Sequence, residues 1–121
     1  MTADDAPILD DGVIAELRAS TGDDDDFVRE LVEAYIEEGR GYIAAMNTAA
    51  AAADAEAMVR PAHTLKSSSA TMGAMRLAAI CRGIEEAARD GENEGLAADV
   101  DAATAAWSAT LEAMAAAGLT A

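Results

Sequence analysis

The sequence predicts an all-α fold, and three observations predict it. Apolar residues make up 52% of the 121-residue chain, yet much of that fraction is alanine, a strong helix former. Prolines number two, Pro7 and Pro61, so little interrupts a helical backbone. Apolar positions recur at helical spacing in five separate stretches. Aromatics are only 3%. Alanine buries little surface, so the core must come from close helix–helix approach rather than large side chains. The length fits one domain, expected over residues 1–121.

The first helix is expected over about 10–19, with Leu9, Val13, Ile14 and Leu17 on one face and Ser20-Thr21-Gly22 as its stop. The second, over about 24–52, starts at Asp23 or Asp24. Its apolar stripe is Phe27, Val28, Leu31, Val32, Tyr35, Ile36, Ile43 and Met46, with Gly39 and Gly41 weakening the middle. The third, over about 54–72, places Met58, Ala62, Leu65, Ser69 and Met72 inward and ends at Gly73. It is expected to run through Pro61 with a bend, because Met58 continues the inward spacing upstream. The rival reading starts the helix near Arg60.

The fourth helix, over about 74–90, turns Leu77, Ile80, Cys81, Ile84 and Ala88 inward and stops at Gly91. The fifth, over about 96–117, carries Leu96, Val100, Trp107, Leu111 and Met114. Short connections make sequence neighbours pack antiparallel.

The formal net charge of −15 argues against nucleic acid and anionic membranes as partners, since both require a basic footprint. No stretch reaches membrane-spanning length and the N-terminus is acidic, so the cytoplasm is the expected compartment. Cys81 is the one cysteine, which excludes an intrachain disulfide and a cysteine metal cluster. Asp23 to Asp26 fail the calcium-loop pattern, because Phe27 and Ala34 fall where ligands are needed. They read as helix caps. No Gly-rich phosphate loop is present, and a single helix face offers no oxyanion hole for a serine hydrolase.

The chain has one histidine, His63, and one lysine, Lys66. They lie three residues apart on the third helix, with Ser67 four from the histidine, so all three share a face. A neutral imidazole, with an ordinary pKa of ~6.5, is a competent nucleophile. An ammonium and a hydroxyl one turn away can hold a phosphoryl oxygen. A lone helical histidine is more often only a boundary residue.

Two observations weigh against that bland reading. His63 sits about 200° around the helix from Leu65, at the rim rather than in the core. Acidic residues are also absent from Arg60 to Ile84, where Arg60, Lys66, Arg76 and Arg82 sum to +4, leaving −19 for the rest of the −15 total. Exclusion of carboxylates from a core segment explains the same gap equally well.

The segment Ala62-His63-Thr64-Leu65-Lys66-Ser67-Ser68-Ser69-Ala70-Thr71-Met72-Gly73-Ala74 resembles the signature of histidine-containing phosphotransfer domains, roughly A-H-x-L-K-G-S-S followed by an apolar residue, Gly and Ala. Leu9-Asp10, Phe27 with its stripe, Leu77 to Cys81, and Ile84 to Arg89 before Gly91 extend the likeness over nearly the whole chain. The resemblance implies an antiparallel four-helix bundle with a short additional N-terminal helix. It implies a carrier with no ATP site and no autokinase activity, which relays a phosphoryl group between receiver-domain aspartates. By position His63 is the phosphorylated residue and Lys66 assists the phosphate. Ser67 stands where the family usually has glycine, and Glu85 is the match for the residue that orients the imidazole.

No cofactor or metal of its own is expected, with Mg²⁺ on the partner receiver. Response-regulator receiver domains are the expected partners, with a hybrid histidine kinase as a further one, and the chain is expected to be a monomer. Arg60, Arg82 and Arg89 are candidates for docking, on the argument that Arg82 and Arg89 share a face with Glu85. The alternative function is a non-catalytic helical interaction domain.

Overall fold

In a computed structural model, which describes residues 3–120, all regular structure is helical and no strand forms among the described residues. A short 3-10 turn at Ala3–Asp5 precedes five helices: α1 (Asp11–Ser20), α2 (Asp25–Ala51), α3 (Ala55–Thr71), α4 (Met75–Arg89) and α5 (Leu96–Ala116). Helices α2 to α5 form the bundle, with α3 packed between α2 and α4, and α5 closing against both α2 and α4. Three starts follow the aspartate rule. The carboxylate oxygens of Asp10, Asp24 and Asp54 accept from backbone N–H groups in the first turns of α1, α2 and α3.

Helix α4 is begun differently. Ala74 has no capping side chain. The N-terminal segment supplies the missing acceptor instead: Arg76 N donates to the Pro7 carbonyl at 2.9 Å. The Arg76 side chain donates to the carbonyls of Ala6 and Asp4, both at 3.0 Å. Asp10 N donates to the Gly73 carbonyl at 2.8 Å. Gly73 has φ of 82° and its α-carbon faces Val13, where an added Cβ would meet the valine Cβ at 3.2 Å. Glycine is therefore required twice over, by backbone conformation and by close approach.

Helix α3 runs unbroken through Pro61, which is buried. Residues 55–59 are helical, so the start near Arg60 does not occur. The α2–α3 turn closes without glycine. Ala53 takes φ of 50° and Asp54 N donates to the Ala49 carbonyl at 2.9 Å.

The core is built from Met46, Met58, Leu65, Leu77, Ile84 and Met114, all fully buried, with alanines between them. Two expectations about α2 are corrected. Phe27 is not part of the stripe, being 46% exposed. The buried line is Val28, Val32, Tyr35, Gly39, Ile43, Met46 and Ala49, and Phe27 lies one residue off it in the first turn. Gly39 is not a weak point but a contact. Trp107 of α5 lies against it so closely that an added Cβ would come within 2.3 Å of Cη2. Tyr35 stacks obliquely on the same indole, with centroids 5.4 Å apart, and its hydroxyl pairs with Ser69 Oγ of α3 at 2.7 Å. Burial pushes the Tyr35 phenol up to about 12, and burial does the same to the Cys81 thiol.

Candidate functional site

His63 and Lys66 lie one turn apart on α3, and the packing of α4 beside α3 brings a carboxylate between them. That carboxylate is Glu85, the first acidic residue after the acid-free stretch. It is the one acidic side chain buried in the protein among the described residues, with 7% of its side chain exposed. Helical spacing explains its depth, because Cys81, Ile84 and Ala88 around it all face the core.

Both oxygens of Glu85 are occupied. Lys66 Nζ donates to Oε1 at 2.6 Å. Oε2 receives His63 Nδ1 at 2.9 Å, together with Arg89 Nε at 2.9 Å and Nη2 at 2.8 Å. A buried charge is tolerated only when paired in this way. The Lys66 ammonium is the foremost cause that holds the carboxyl down at about 2, burial opposes it, and Arg89 and His63 add to the lowering.

An ionised carboxylate can only accept hydrogen bonds, so Nδ1 of His63 carries the proton and donates. Nε2 then holds the lone pair. It has no hydrogen-bond partner among the described residues, on a side chain that is 53% exposed. The arrangement selects one tautomer and presents its nucleophilic nitrogen outward.

The other expected site residues divide. Lys66 is not a fully exposed surface lysine, with 30% of its side chain accessible and its ammonium bound to Glu85. Ser67 is exposed, but its hydroxyl folds back to the His63 carbonyl at 3.3 Å rather than toward the imidazole. Arg89 joins the cluster through Glu85. Arg82 does not: it turns to Glu86, its i+4 neighbour on the same helix, at 3.3 Å. Arg60 is exposed one turn before His63. Arg76 contributes its charge to the N-terminal segment and not to this face. From the sequence, Glu85 is expected to partner the histidine alone. That it also binds Lys66 and Arg89 was readable only in part, from the i+4 spacing of Glu85 and Arg89.

Beside the cluster, α3, α4 and the N-terminal residues Ala3 and Ala6 line an open groove of about 860 Å³, with Lys66, Ser67, Ala70 and Arg82 among its walls. Small side chains floor it, so another backbone can come close. No group of three or more metal-ligating side chains is present among the described residues, and no helix is long and apolar enough to cross a membrane.

The model of the Hpt domain family matches residues 30–117. The crystal structure of histidine-containing phosphotransfer protein B, HptB, from Pseudomonas aeruginosa PAO1 superposes with a TM-score of 0.79 at 30% sequence identity, covering 87% of this chain and 89% of that one. No curated protein matches the chain. With an outward-facing histidine on the third of five helices, a bundle that overlays a phosphotransfer protein and a family model spanning most of its length, the chain belongs to the histidine-containing phosphotransfer domain family.

Proposed function

We propose that His63 is the phosphoryl carrier of a phosphorelay, loaded at Nε2 by a receiver-domain aspartyl phosphate and unloaded onto the aspartate of another receiver. The observation that carries this reading is the His63–Glu85 pair, which leaves Nε2 open on an exposed ring. In the transfer the aspartyl O–P bond breaks, its electron pair stays on the receiver's carboxylate, and the Nε2 lone pair forms the N–P bond. Charge spreads over the equatorial oxygens of an in-line transition state. Lys66, one turn from His63 on α3, can turn one of its donors to such an oxygen while Arg89 keeps Glu85 paired. The receiver supplies the Mg²⁺.

The chain acts as a carrier and works in the cytoplasm as a monomer. Phe27 is the sole large hydrophobic residue exposed among the described residues, which supports a monomer. The receiver docks over the groove between α3 and α4, where small residues permit close approach, through a transient interface at or below about 800 Å² per partner. Arg82 lines this groove, Arg60 is exposed one turn before His63, and both steer the acidic receiver site.

Incubation with a phosphorylated receiver, followed by electrophoresis that retains phosphohistidine, tests the reading. Wild type is expected to take the label and His63→Gln to take none while keeping its helical spectrum. Label on the variant would overturn the assignment, and no label on wild type would leave the helical interaction domain as the function.

A further inference from the structure

The resting imidazole does not need a carboxylate beside it. A neutral amide oxygen could also accept the Nδ1 proton, through a weaker hydrogen bond. The two groups differ in kind once Nε2 has been phosphorylated. Its lone pair is then spent in the N–P bond, and the ring, still protonated at Nδ1, is a phosphoimidazolium. If that ring loses its proton, a lone pair appears at Nδ1. An amide can turn its NH₂ to meet it, whereas an ionised carboxylate has no proton to give and repels it.

Here the partner is a carboxylate, and its surroundings keep it ionised. From α3, Lys66 binds Oε1 at 2.6 Å. From α4, Arg89 binds Oε2 through two nitrogens at 2.9 and 2.8 Å. Helix α2, the other helix packed on α3, sends no hydrogen bond or ion pair into the cluster among the described residues, its polar link to α3 being Tyr35 to Ser69. Glu85 is the acidic side chain that pairs with the ring, and Glu86 turns to Arg82.

We propose, on the reading that His63 is phosphorylated at Nε2, that Glu85 keeps phospho-His63 protonated at Nδ1, so that the protein carries its phosphoryl group as a phosphoimidazolium. Loading then moves no proton: the O–P pair goes to the receiver's oxygen and the Nε2 lone pair goes to phosphorus. Unloading returns the N–P pair to Nε2, and the ring departs as neutral imidazole with the Nδ1 proton still in place. A ring deprotonated at Nδ1 would have to leave as an imidazolide anion, a far poorer leaving group. Glu85 is thus a positioning residue that acts through His63. It keeps the stored phosphoryl group ready for transfer in either direction, with Arg89 holding the carboxylate while Lys66 attends to the phosphate.

The test loads the full ¹⁵N-labelled chain with phosphoramidate, which needs no receiver, and follows the imidazole nitrogens by NMR as pH is raised. Folded wild type is expected to keep the Nδ1 proton to a pH about one unit or more above the same phosphohistidine in the urea-unfolded chain. Glu85→Gln is expected to lower that midpoint to the unfolded value or below, and to lengthen the phosphohistidine lifetime several-fold near neutral pH. Equal midpoints in folded and unfolded wild type overturn the inference alone, whether or not the variant folds. Phosphorus on Nδ1, or on another residue, overturns the underlying reading and the inference with it.

Discussion

The seam between α3 and α4 and the seam between α2 and α5 belong to the same alanine-rich bundle and are held in opposite ways. At the first, a buried carboxylate is fixed by Lys66, Arg89 and His63 within 2.9 Å, and the ring it orients faces solvent. At the second, Trp107 presses into the space left by Gly39, with Tyr35 tilted against it. The α2–α5 seam is specified by shape and the α3–α4 seam by charge. A seam made by shape tolerates no extra atoms but is indifferent to pH. A seam made by charge responds to pH and salt, and can change its partners during a reaction without repacking.

The largest effect should come from the shape-specified seam. Trp107→Ala is expected to cost about 3–5 kcal/mol in urea unfolding, with transfer by the folded fraction unchanged. Gly39→Ala should cost roughly 1–3 kcal/mol by overpacking, even after the helix gain of about 0.5–1 kcal/mol. In the Trp107→Ala background the same Gly39→Ala should become neutral or stabilising. Additive costs in that double-mutant cycle would show that the indole and the glycine are not coupled.

Lys66→Ala addresses the charged seam and the chemistry together. Loss of a charge-assisted contact to the phosphoryl group is expected to slow transfer by about ten- to a hundredfold, corresponding to roughly 1.5–3 kcal/mol. Because Lys66 also neutralises buried Glu85, the melting temperature should fall as well, unlike that of a variant at an exposed lysine. Rapid-quench transfer and thermal melts read the two effects separately. An unchanged rate would make Lys66 a purely structural partner of Glu85.

The pH dependence of stability offers a smaller effect. The Glu85 carboxyl falls from 4.5 to about 2 on folding, so the unfolded chain binds the extra proton between those values. Stability from this group is complete above about 4.5 and is lost as pH falls toward 2. Glu85→Gln should flatten the curve in that window, while Trp107→Ala should lower it without changing its slope there. Parallel acid-unfolding curves for wild type and Glu85→Gln would contradict this.

The smallest effect is expected at the rim. Arg82 is exposed and pairs with exposed Glu86, so Arg82→Glu should leave stability nearly unchanged. Transfer from an acidic receiver should slow at low salt, and the defect should shrink as salt screens the encounter. Stopped-flow transfer across a salt series measures it. A variant equal to wild type at every ionic strength would remove Arg82 from the docking face.

Five helices, most of their inward positions and the pairing of the one histidine with its lysine on one helix face were legible in the sequence, because each depends on contacts within one or two turns. Met58, Ala62, Leu65, Ser69 and Met72 repeat at helical spacing, and all are buried. The α2–α3 turn was placed by Asp54, although the left-handed residue there is Ala53 rather than a glycine. Phe27 was misplaced because hydrophobicity was read without angular position, one step off the buried line. Gly39 was misjudged because helix propensity describes a lone helix and cannot see the indole of another one.

The sequence by itself determined the helical class, the approximate bounds of α1 to α5, and the one histidine that can serve as a carrier beside its lysine. Those properties follow from local periodicity, capping and the scarcity of alternatives in a chain with a single histidine. Only the tertiary structure decided which cations hold Glu85, which way Arg82 turns, and that the N-terminal backbone caps α4. A helix sets the face on which a side chain lies, but the charge it meets is chosen by the rotation and depth at which the next helix packs. His63 and Glu85, 22 positions apart in sequence, come within 2.9 Å only when α4 lies down beside α3.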